Sequence, residues 1–400
     1  MTSKTFCILP WIHIYANPDG NILPCCIGDW HEPLGNIRDG KLIDIWNNDK
    51  FKQLRLNMLN GVQSKECKSC YKAEESGKSK RQNDLEGFSK HLTRAKDTNP
   101  DGSLDTLDLK YFDLRWSNIC NFKCRTCSST YSSSWATEDN ANGKDRKVFI
   151  FAGGESNDEL YNQFLPEFKN IEKFYFAGGE PLLTDKHYDI LNHLVDIGKT
   201  NVHIEYNSNL SSLKYKNILI TDLWKKFEKV DIFASLDSWG PRAEYIRDGT
   251  KWQTIEDNIR LIRKEAPHVY IGISVTVSIF NVYTLTDFLD YIIDTKLFPA
   301  SITPYFYNIM TPIHYGYHVI DPQLKKRIID KINGKMKTYN PSIQYELKKV
   351  VASLENSHFS VKIKSEFLDN VDHYDRIRDQ KFLETFPELA NCYNNKYDYE

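Results

Sequence analysis

Three cysteines in one short segment are the residues of this chain best suited to chemistry. Cys120, Cys124 and Cys127 have the spacing Cys-x3-Cys-x2-Cys. A four-iron cluster is normally held by four cysteine thiolates, so three leave one iron open to a small molecule. Three structural thiols or a zinc site are the alternatives. Structural zinc normally takes four protein ligands, and neither His nor Cys closely follows Cys127.

A glycine-rich element follows the cysteines. Gly-Gly-Glu-Pro at 178–181 comes after a strand-like run at 173–176, and apolar spacing predicts a helix over 184–197. Paired glycines at the end of a strand let the backbone approach a ligand closely. A similar run at 151–156 lacks the proline and follows Cys127 too soon to leave room for a helix and a strand. We interpret that run as a turn.

Together, the cysteine triad and the Gly-Gly-Glu-Pro element resemble the radical S-adenosylmethionine (SAM) enzymes. The resemblance implies that the open iron of a [4Fe–4S] cluster binds SAM. It also implies that SAM is cleaved reductively to a 5′-deoxyadenosyl radical, which takes a hydrogen atom from the substrate. The residues that the resemblance places at SAM are Gly178, Gly179, Glu180, Asn209, Ser235 and Arg247. For the last three, ordinary turn chemistry is the alternative.

A second group of cysteines precedes this region. Cys7, Cys25, Cys67 and Cys70 flank a hairpin signal, Asn-Pro-Asp-Gly at 17–20. The pattern resembles the SPASM/twitch auxiliary-cluster domain of radical SAM enzymes, here placed before the barrel and not after it. The resemblance implies a second, auxiliary [4Fe–4S] cluster, and a zinc site with four cysteines is the alternative.

Two further cysteines are not assigned to a cluster. Cys26 competes with Cys25, but Cys25 matches the Pro-Cys element of the family, so Cys26 is interpreted as a packed thiol. Cys392 stands alone near the C-terminus and is interpreted as a buried small residue.

Composition limits the class of protein. The 400 residues are 40% hydrophobic and 26% charged, with a formal net charge of −2. These values are ordinary for a globular protein and give no basic field for nucleic acid. No membrane span or signal peptide is evident, so we expect a cytoplasmic protein with reduced thiols. As partners we expect a peptide or small-molecule substrate and an electron donor such as flavodoxin or ferredoxin, but no membrane.

From residue 107 onward, strands and helices alternate, which predicts an α/β fold with parallel βα units. The number of units fits the partial (β/α)6 TIM-type barrel of the family, with a helical C-terminal cap. Strands are predicted at 109–115, 172–176, 202–206, 231–236, 269–277 and 302–306. Helices are predicted at 43–58, 184–197, 212–228, 252–265, 282–295, 322–335 and 343–354. The predicted domains are 1–75 (auxiliary cluster), 76–106 (linker or solvated helix), 107–309 (barrel) and 310–400 (cap).

Overall fold

The computed structural model describes residues 3–75, 77–146 and 155–390, which form two compact units. The units interleave along the chain, so the four domains predicted from the sequence stay a prediction. The first unit comprises Met1–Ile119, Asp145–Tyr206 and Asp222–Val230. The second comprises Cys120–Lys144, Asn207–Thr221 and Asp231–Glu400.

Strands and helices alternate through most of the described chain, as the sequence predicts. The strands are β1 His13–Ala16, β2 Asn21–Leu23, β3 Gly35–Asn36, β4 Tyr111–Leu114, β5 Lys123–Cys124, β6 Lys173–Phe176, β7 His203–Ser208, β8 Lys214–Tyr215, β9 Ile218–Leu219, β10 Lys229–Ser235, β11 Arg247–Asp248, β12 Tyr270–Val277 and β13 Pro304–Asn308. The helices are α1 Leu9–Ile12, α2 Leu42–Trp46, α3 Asp49–Leu59, α4 Lys68–Glu74, α5 Lys80–Gly87, α6 Ser133–Ala141, α7 Glu155–Phe164, α8 Asp185–Asp196, α9 Ile220–Trp224, α10 Gly240–Ile246, α11 Trp252–Glu265, α12 Leu285–Asp294, α13 Pro322–Met336, α14 Pro341–Glu355, α15 Val361–Arg378 and α16 Phe382–Thr385.

The sheet of the first unit has the strand order β7-β6-β4-β1-β2-β3. Strands β7, β6, β4 and β1 are parallel, whereas β1 and β2 form the predicted antiparallel hairpin. The N-terminal hairpin therefore extends the parallel sheet directly, with His13 opposite Tyr111. Behind the sheet, the rings of Phe112, Phe168 and Phe174 pack against one another with centroids 5.2 to 5.6 Å apart. This aromatic layer fixes the strands whose carboxyl ends carry the motifs.

In the second unit, β10, β12 and β13 are parallel neighbours in that order, with Ser235 opposite Ser274 and Ser274 opposite Tyr305. The apolar stripe of α11 is buried as its spacing predicts, with Ile259 fully inaccessible to solvent. Strand β5 pairs with β11, and β8 pairs with β9. These mixed α/β elements and the helical C-terminal region confirm the fold class.

Two of the predicted helices are wrong in extent. The region 212–228 forms the small β8–β9 hairpin before a short α9, and Lys216 in its turn has a left-handed φ of 52°. The region 43–58 is two helices, because Asn48 leaves the helical conformation and caps α3 through the Phe51 amide. No described helix is both long and apolar enough to cross a membrane. Residues 151–154 of the second glycine run lie outside the described residues, and Glu155 begins α7.

Candidate iron–sulfur sites

The three-cysteine segment is held by backbone pairing within the second unit. Strand β5 places Cys124 opposite Arg247 of β11, and the Arg125 amide donates to the Ile246 carbonyl at 2.7 Å. The amide of Cys127 then donates to the Cys124 carbonyl at 3.0 Å, which closes a turn. The last two cysteines therefore lie on one anchored turn.

The start of helix α6 fixes the same segment from its other side. Ser132, the N-cap residue, accepts from the Trp135 amide and donates to the Phe122 carbonyl at 2.6 Å. The next serines, 133 and 134, bond the amide and the carbonyl of Cys120. The Trp135 indole donates to the Cys124 carbonyl at 2.7 Å. Hydrogen bonds from the start of helix α6 thus position the first two cysteines.

The surroundings of these thiols suit metal ligation. Burial raises the pKa of Cys124 to about 12 and also raises the pKa of Cys127, so neither thiol ionises readily by itself. The Phe122 amide lies 3.5 Å from the Cys120 sulfur and the Arg247 guanidinium 3.8 Å from the Cys124 sulfur. These donors favour the thiolate form that a metal cluster requires. The described part of the second unit contains no fourth cysteine.

Arg247 already contacts a carboxylate within the protein. Its Nε lies 2.8 Å from the Oδ2 of Asp237, a fully buried carboxylate. The carboxylate that Arg247 contacts is therefore an internal one, and the guanidinium also faces the Cys124 thiol. The structure gives Arg247 a position beside a cysteine of the triad.

Buried charges that no sequence pattern indicated hold this segment to the C-terminal helix. Arg125 lies between two of the cysteines and is fully buried. Its guanidinium donates to Asp375 of α15 at 2.9 Å and to Gln380 at 2.7 Å. Arg378 at the end of α15 bonds Glu138 of α6 at 2.6 Å. Because these partners are about 240 to 255 residues apart, no local pattern reveals them.

The Gly-Gly-Glu-Pro element forms a tight turn within the first unit. Gly178 and Gly179 have φ values of +79° and +58°, which other residues rarely adopt. A Cβ on Gly179 would lie 2.5 Å from the Ile119 carbonyl oxygen, and one on Gly178 would lie 2.5 Å from Arg115 Cδ. The Glu180 amide donates to the same Ile119 oxygen at 2.7 Å. The turn therefore packs on the backbone that leads into the first cysteine of the triad.

Asn209 and Ser235 lie at the carboxyl ends of two different strands. Asn209 follows β7 and donates its side-chain amide to Asn121 of the cysteine segment at 3.1 Å. Ser235 ends β10 and is partly exposed. The structure therefore brings Asn209, but not Ser235, into hydrogen-bond contact with the described cysteine segment.

The N-terminal cysteines meet in one cavity of the first unit. The lining of this cavity includes Cys7, Cys25, Cys67 and Cys70. Burial raises the pKa of Cys7 to about 12 and raises the pKa of the other three, and the charges of neighbouring thiols add to the effect at Cys7, Cys25 and Cys67. Backbone amides at Leu9, Ile27 and Arg81 act in the opposite direction on Cys7, Cys25 and Cys70. Four sulfur donors that converge in one cavity fit a four-thiolate cluster.

Helix α5 completes the same cavity. The sequence predicts a linker or solvated helix over 76–106, but Lys80, Arg81 and Asp84 line the cavity. Arg81 is 7% exposed and donates to the Phe6 carbonyl at 2.8 Å. A solvated helix is therefore wrong for these three residues, because their charges have partners inside the protein.

Of the two cysteines not assigned to a cluster, the structure describes Cys26 but not Cys392. Cys26 is partly exposed and is not part of the cavity lining. Burial raises the pKa of its thiol, and the charges of Lys80, Asp113 and Arg115 also act on it. Cys392 lies outside the described residues. All eight described cysteines are free thiols.

Fold and sites together define an α/β protein with two groups of cysteines suited to iron–sulfur clusters. A family model described as an iron-sulfur cluster-binding domain, SPASM, matches residues 7–71. A second model, the radical SAM superfamily, matches residues 114–292. Together the two matches span more than half of the chain. The chain therefore carries a radical SAM domain and an SPASM domain, whose cofactors are [4Fe–4S] clusters and SAM.

Solved structures add distant likenesses. Native anSMEcpe with bound AdoMet is 17% identical, with a TM-score of 0.40 over 56% of this chain and 60% of that chain. Streptococcus suis SuiB bound to S-adenosylmethionine is 14% identical, with a TM-score of 0.36 over 84% and 71%. SuiB bound to the precursor peptide SuiA is 13% identical, with a TM-score of 0.35 over 97% and 75%. The chain thus spans 60% of the length of anSMEcpe, and no curated protein matches it.

Proposed function

We propose that this chain is a radical SAM enzyme that removes a hydrogen atom from a peptide or small-molecule substrate. The observation that carries the proposal is the three-cysteine segment of the second unit. Cys120, Cys124 and Cys127 are anchored by β5, β11 and α6, and no fourth cysteine accompanies them in the described part of that unit. Three thiolates leave one iron of a cubane open. When bound, the cluster and SAM supply a one-electron reductive cleavage that yields a 5′-deoxyadenosyl radical.

The residues around the triad have supporting roles in this proposal. Arg247 holds a positive charge beside the Cys124 thiolate and is itself held by Asp237. Serines 132–134 and Trp135 keep the cysteine backbone in place. Asn209 orients the segment through Asn121. In this proposal these groups hold and orient the cysteine segment, and none of them transfers a proton.

We assign the SAM-binding backbone to the Gly-Gly-Glu-Pro turn. Gly178 and Gly179 let the turn lie directly against Arg115 and the Ile119 carbonyl oxygen, and Glu180 is 2% exposed and accepts from the Leu182 amide at 3.2 Å. The proposed contacts of the turn are with the ammonium of SAM. For Ser235 we propose a contact with the ribose or carboxylate of SAM, supported by its position at the end of β10.

A peptide is the substrate class to test first. The SuiB structure named above was solved with a precursor peptide, and for this chain a peptide is the first of the two proposed substrate classes to test. An electron donor such as flavodoxin or ferredoxin is proposed to deliver the electron. The cytoplasmic location expected from the cysteine usage stays a prediction.

Anaerobic reconstitution followed by dithionite reduction tests the proposal. With SAM present, the wild-type protein should release 5′-deoxyadenosine, detected by mass spectrometry. Cys124→Ala should release none, because one of the three cluster ligands is lost. A fully loaded wild-type protein that leaves SAM intact would favour a non-catalytic electron carrier or sensor on the same fold.

A further inference from the structure

Helix α5 brings a partly buried ion pair to the cavity of the N-terminal cysteines. The Nζ of Lys80 lies 3.0 Å from the Oδ2 of Asp84, and the two side chains are 23% and 12% exposed. Lys80 Nζ also lies 5.6 Å from the ring centroid of Tyr111. The pair is therefore held in place by the helix and by β4.

Both members of this pair line the cavity together with Cys7, Cys25, Cys67 and Cys70. Burial raises the pKa of Cys7; the Asp84 carboxylate adds to that rise, and the Lys80 ammonium acts against it. Burial also raises the pKa of Cys25, and the Lys80 ammonium again acts in the opposite direction. The two charges of the pair thus act in opposite directions on the thiols of this lining.

Two further charged residues, Arg81 and Glu66, line the cavity. Arg81 is bonded to Glu74 at 2.9 Å and to the Phe6 carbonyl. Burial raises the pKa of Cys67; the Glu66 carboxylate adds to that rise, and the Arg81 guanidinium acts in the opposite direction. Lys80 is the cation of this lining that acts on Cys25, and its partner Asp84 lies in the same lining.

A cluster held by four thiolates carries net negative charge, and its reduction potential depends on nearby charges and on hydrogen bonds to sulfur. A cation near the thiolates favours the reduced, more negative cluster, and an anion opposes it. We propose that Lys80 is a positioning residue that raises the reduction potential of the cluster held by Cys7, Cys25, Cys67 and Cys70, and that Asp84 limits this effect. The inference rests on the proposed cluster assignment.

The test uses the full chain with Cys120, Cys124 and Cys127 changed to Ala, so that only the N-terminal cluster remains. Its midpoint potential is measured by redox titration with electron paramagnetic resonance (EPR) detection. Lys80→Met should lower the potential, because Asp84 is left without its cation. Asp84→Asn should raise the potential, because the charge of Lys80 is no longer opposed. Each shift should reach roughly a tenfold change in the ratio of reduced to oxidised cluster at a fixed potential, about 59 mV for one electron.

Three further measurements separate charge from packing. Lys80→Arg keeps the positive charge and should therefore keep the wild-type reduction potential. If Lys80 acted only through packing, the larger arginine side chain would be expected to change the potential as well. Lys78→Met is the matched control, because Lys78 is 46% exposed and pairs with the exposed Glu86; its potential should not move. The iron content of every variant shows whether the cluster is still present.

Two results would overturn the inference in different ways. Four irons with the same potential in Lys80→Met and Asp84→Asn would remove the role of Lys80 and leave the cluster assignment intact. Zinc without iron in the parent variant would remove both the inference and the proposed auxiliary cluster.

Discussion

Arg125, which lies between two cysteines of the triad, forms an ion pair with Asp375 of the long helix α15 at 2.9 Å. The arginine side chain is fully buried and the aspartate is 18% exposed. The guanidinium also lies 4.3 Å from the ring centroid of Tyr245. The C-terminal region is therefore joined to the cysteine segment by a desolvated charge pair as well as by packing.

Removing this arginine should destabilise the protein strongly. Arg125→Met leaves Asp375 without its cation, and breaking a buried ion pair costs about 3 to 5 kcal/mol. We expect the lower end, because Asp375 is partly exposed and keeps the Tyr245 hydroxyl as a donor at 2.6 Å. Urea unfolding measures the change in the free energy of unfolding.

The control is an exposed pair of the same kind. Lys326 and Asp330 are 76% and 61% exposed, so Lys326→Met should cost less than about 1 kcal/mol. Equal costs for the two variants would show that the Arg125 pair contributes no more than a surface pair.

The two glycines of the Gly-Gly-Glu-Pro turn should differ in their tolerance of alanine. At Gly179 a Cβ meets backbone oxygen at 2.5 Å, whereas at Gly178 it meets the side chain of Arg115, which can move. Gly179→Ala should therefore abolish SAM binding, and Gly178→Ala should weaken it. Isothermal titration of SAM into the anaerobically reconstituted protein measures the effect.

Gly198 supplies the matched control for both variants. Its φ is +70°, but nothing lies within 4 Å of an added Cβ. Gly198→Ala should cost about 1 kcal/mol of stability from backbone strain alone and leave SAM affinity unchanged. Wild-type SAM affinity in Gly179→Ala would remove the turn from the proposed binding site.

The N-cap of α6 should affect the cluster as well as the helix. Ser132→Ala removes the bond to the Trp135 amide and the bond to the Phe122 carbonyl of the cysteine segment. The loss of an N-cap costs about 1 kcal/mol, and the loosened segment should release iron faster to a chelator. Absorbance of the chelated iron over time follows the release.

Ser360 is the corresponding cap of α15, where it accepts from the Ile363 amide. Ser360→Ala should lose a similar amount of stability without faster iron release. If both serine variants release iron at the same rate, general destabilisation and not the local bond explains the effect.

His187 should make the protein less stable in weak acid. Burial lowers the pKa of His187 to about 3, while an unfolded histidine has a pKa near 6.5. Below pH 6.5 the His187 imidazole therefore binds a proton in the unfolded chain but not in the folded protein, so the free energy of unfolding falls with decreasing pH. Because of this group, the free energy of unfolding falls by up to about 1.4 kcal/mol per pH unit.

The variant His187→Gln isolates this contribution, because glutamine can keep a hydrogen bond with the Tyr206 hydroxyl and does not titrate. Between pH 7 and 5.5 the variant should gain about 1 kcal/mol relative to wild type in urea unfolding. The exposed His268 gives the matched control as His268→Gln. Parallel pH curves for wild type and His187→Gln would contradict the prediction.

Local patterns predicted the regular elements well. The helix over 252–265 has the same bounds in the structure, because its apolar stripe and the Pro267 that follows it are local signals. The turn at 17–20 likewise predicted the N-terminal hairpin. The helix predicted over 212–228 was wrong, because this region folds into the β8–β9 hairpin before the short helix α9. Lys216 in the hairpin turn has a left-handed φ, and apolar spacing gave no sign of this turn.

Long-range polar contacts could not be predicted in this way. The charged residues Lys80 and Arg81 look like a solvated surface in sequence, yet both line the cavity of the N-terminal cysteines. The bounds of helix α15, which carries the partner of Arg125, were not predicted within the helical cap. Arg81 donates to the Phe6 carbonyl, 75 residues away, and Arg125 donates to Asp375, 250 residues away, so these contacts become visible only in the folded chain.

The most direct test of the account is whether SAM binds at an iron that Cys120, Cys124 and Cys127 leave open. A full chain with Cys7, Cys25, Cys67 and Cys70 changed to Ala should bind about four irons. Addition of SAM to the reduced protein should then change the EPR signal of the cluster. An unchanged signal in a variant that holds about four irons, at saturating SAM, would contradict the account.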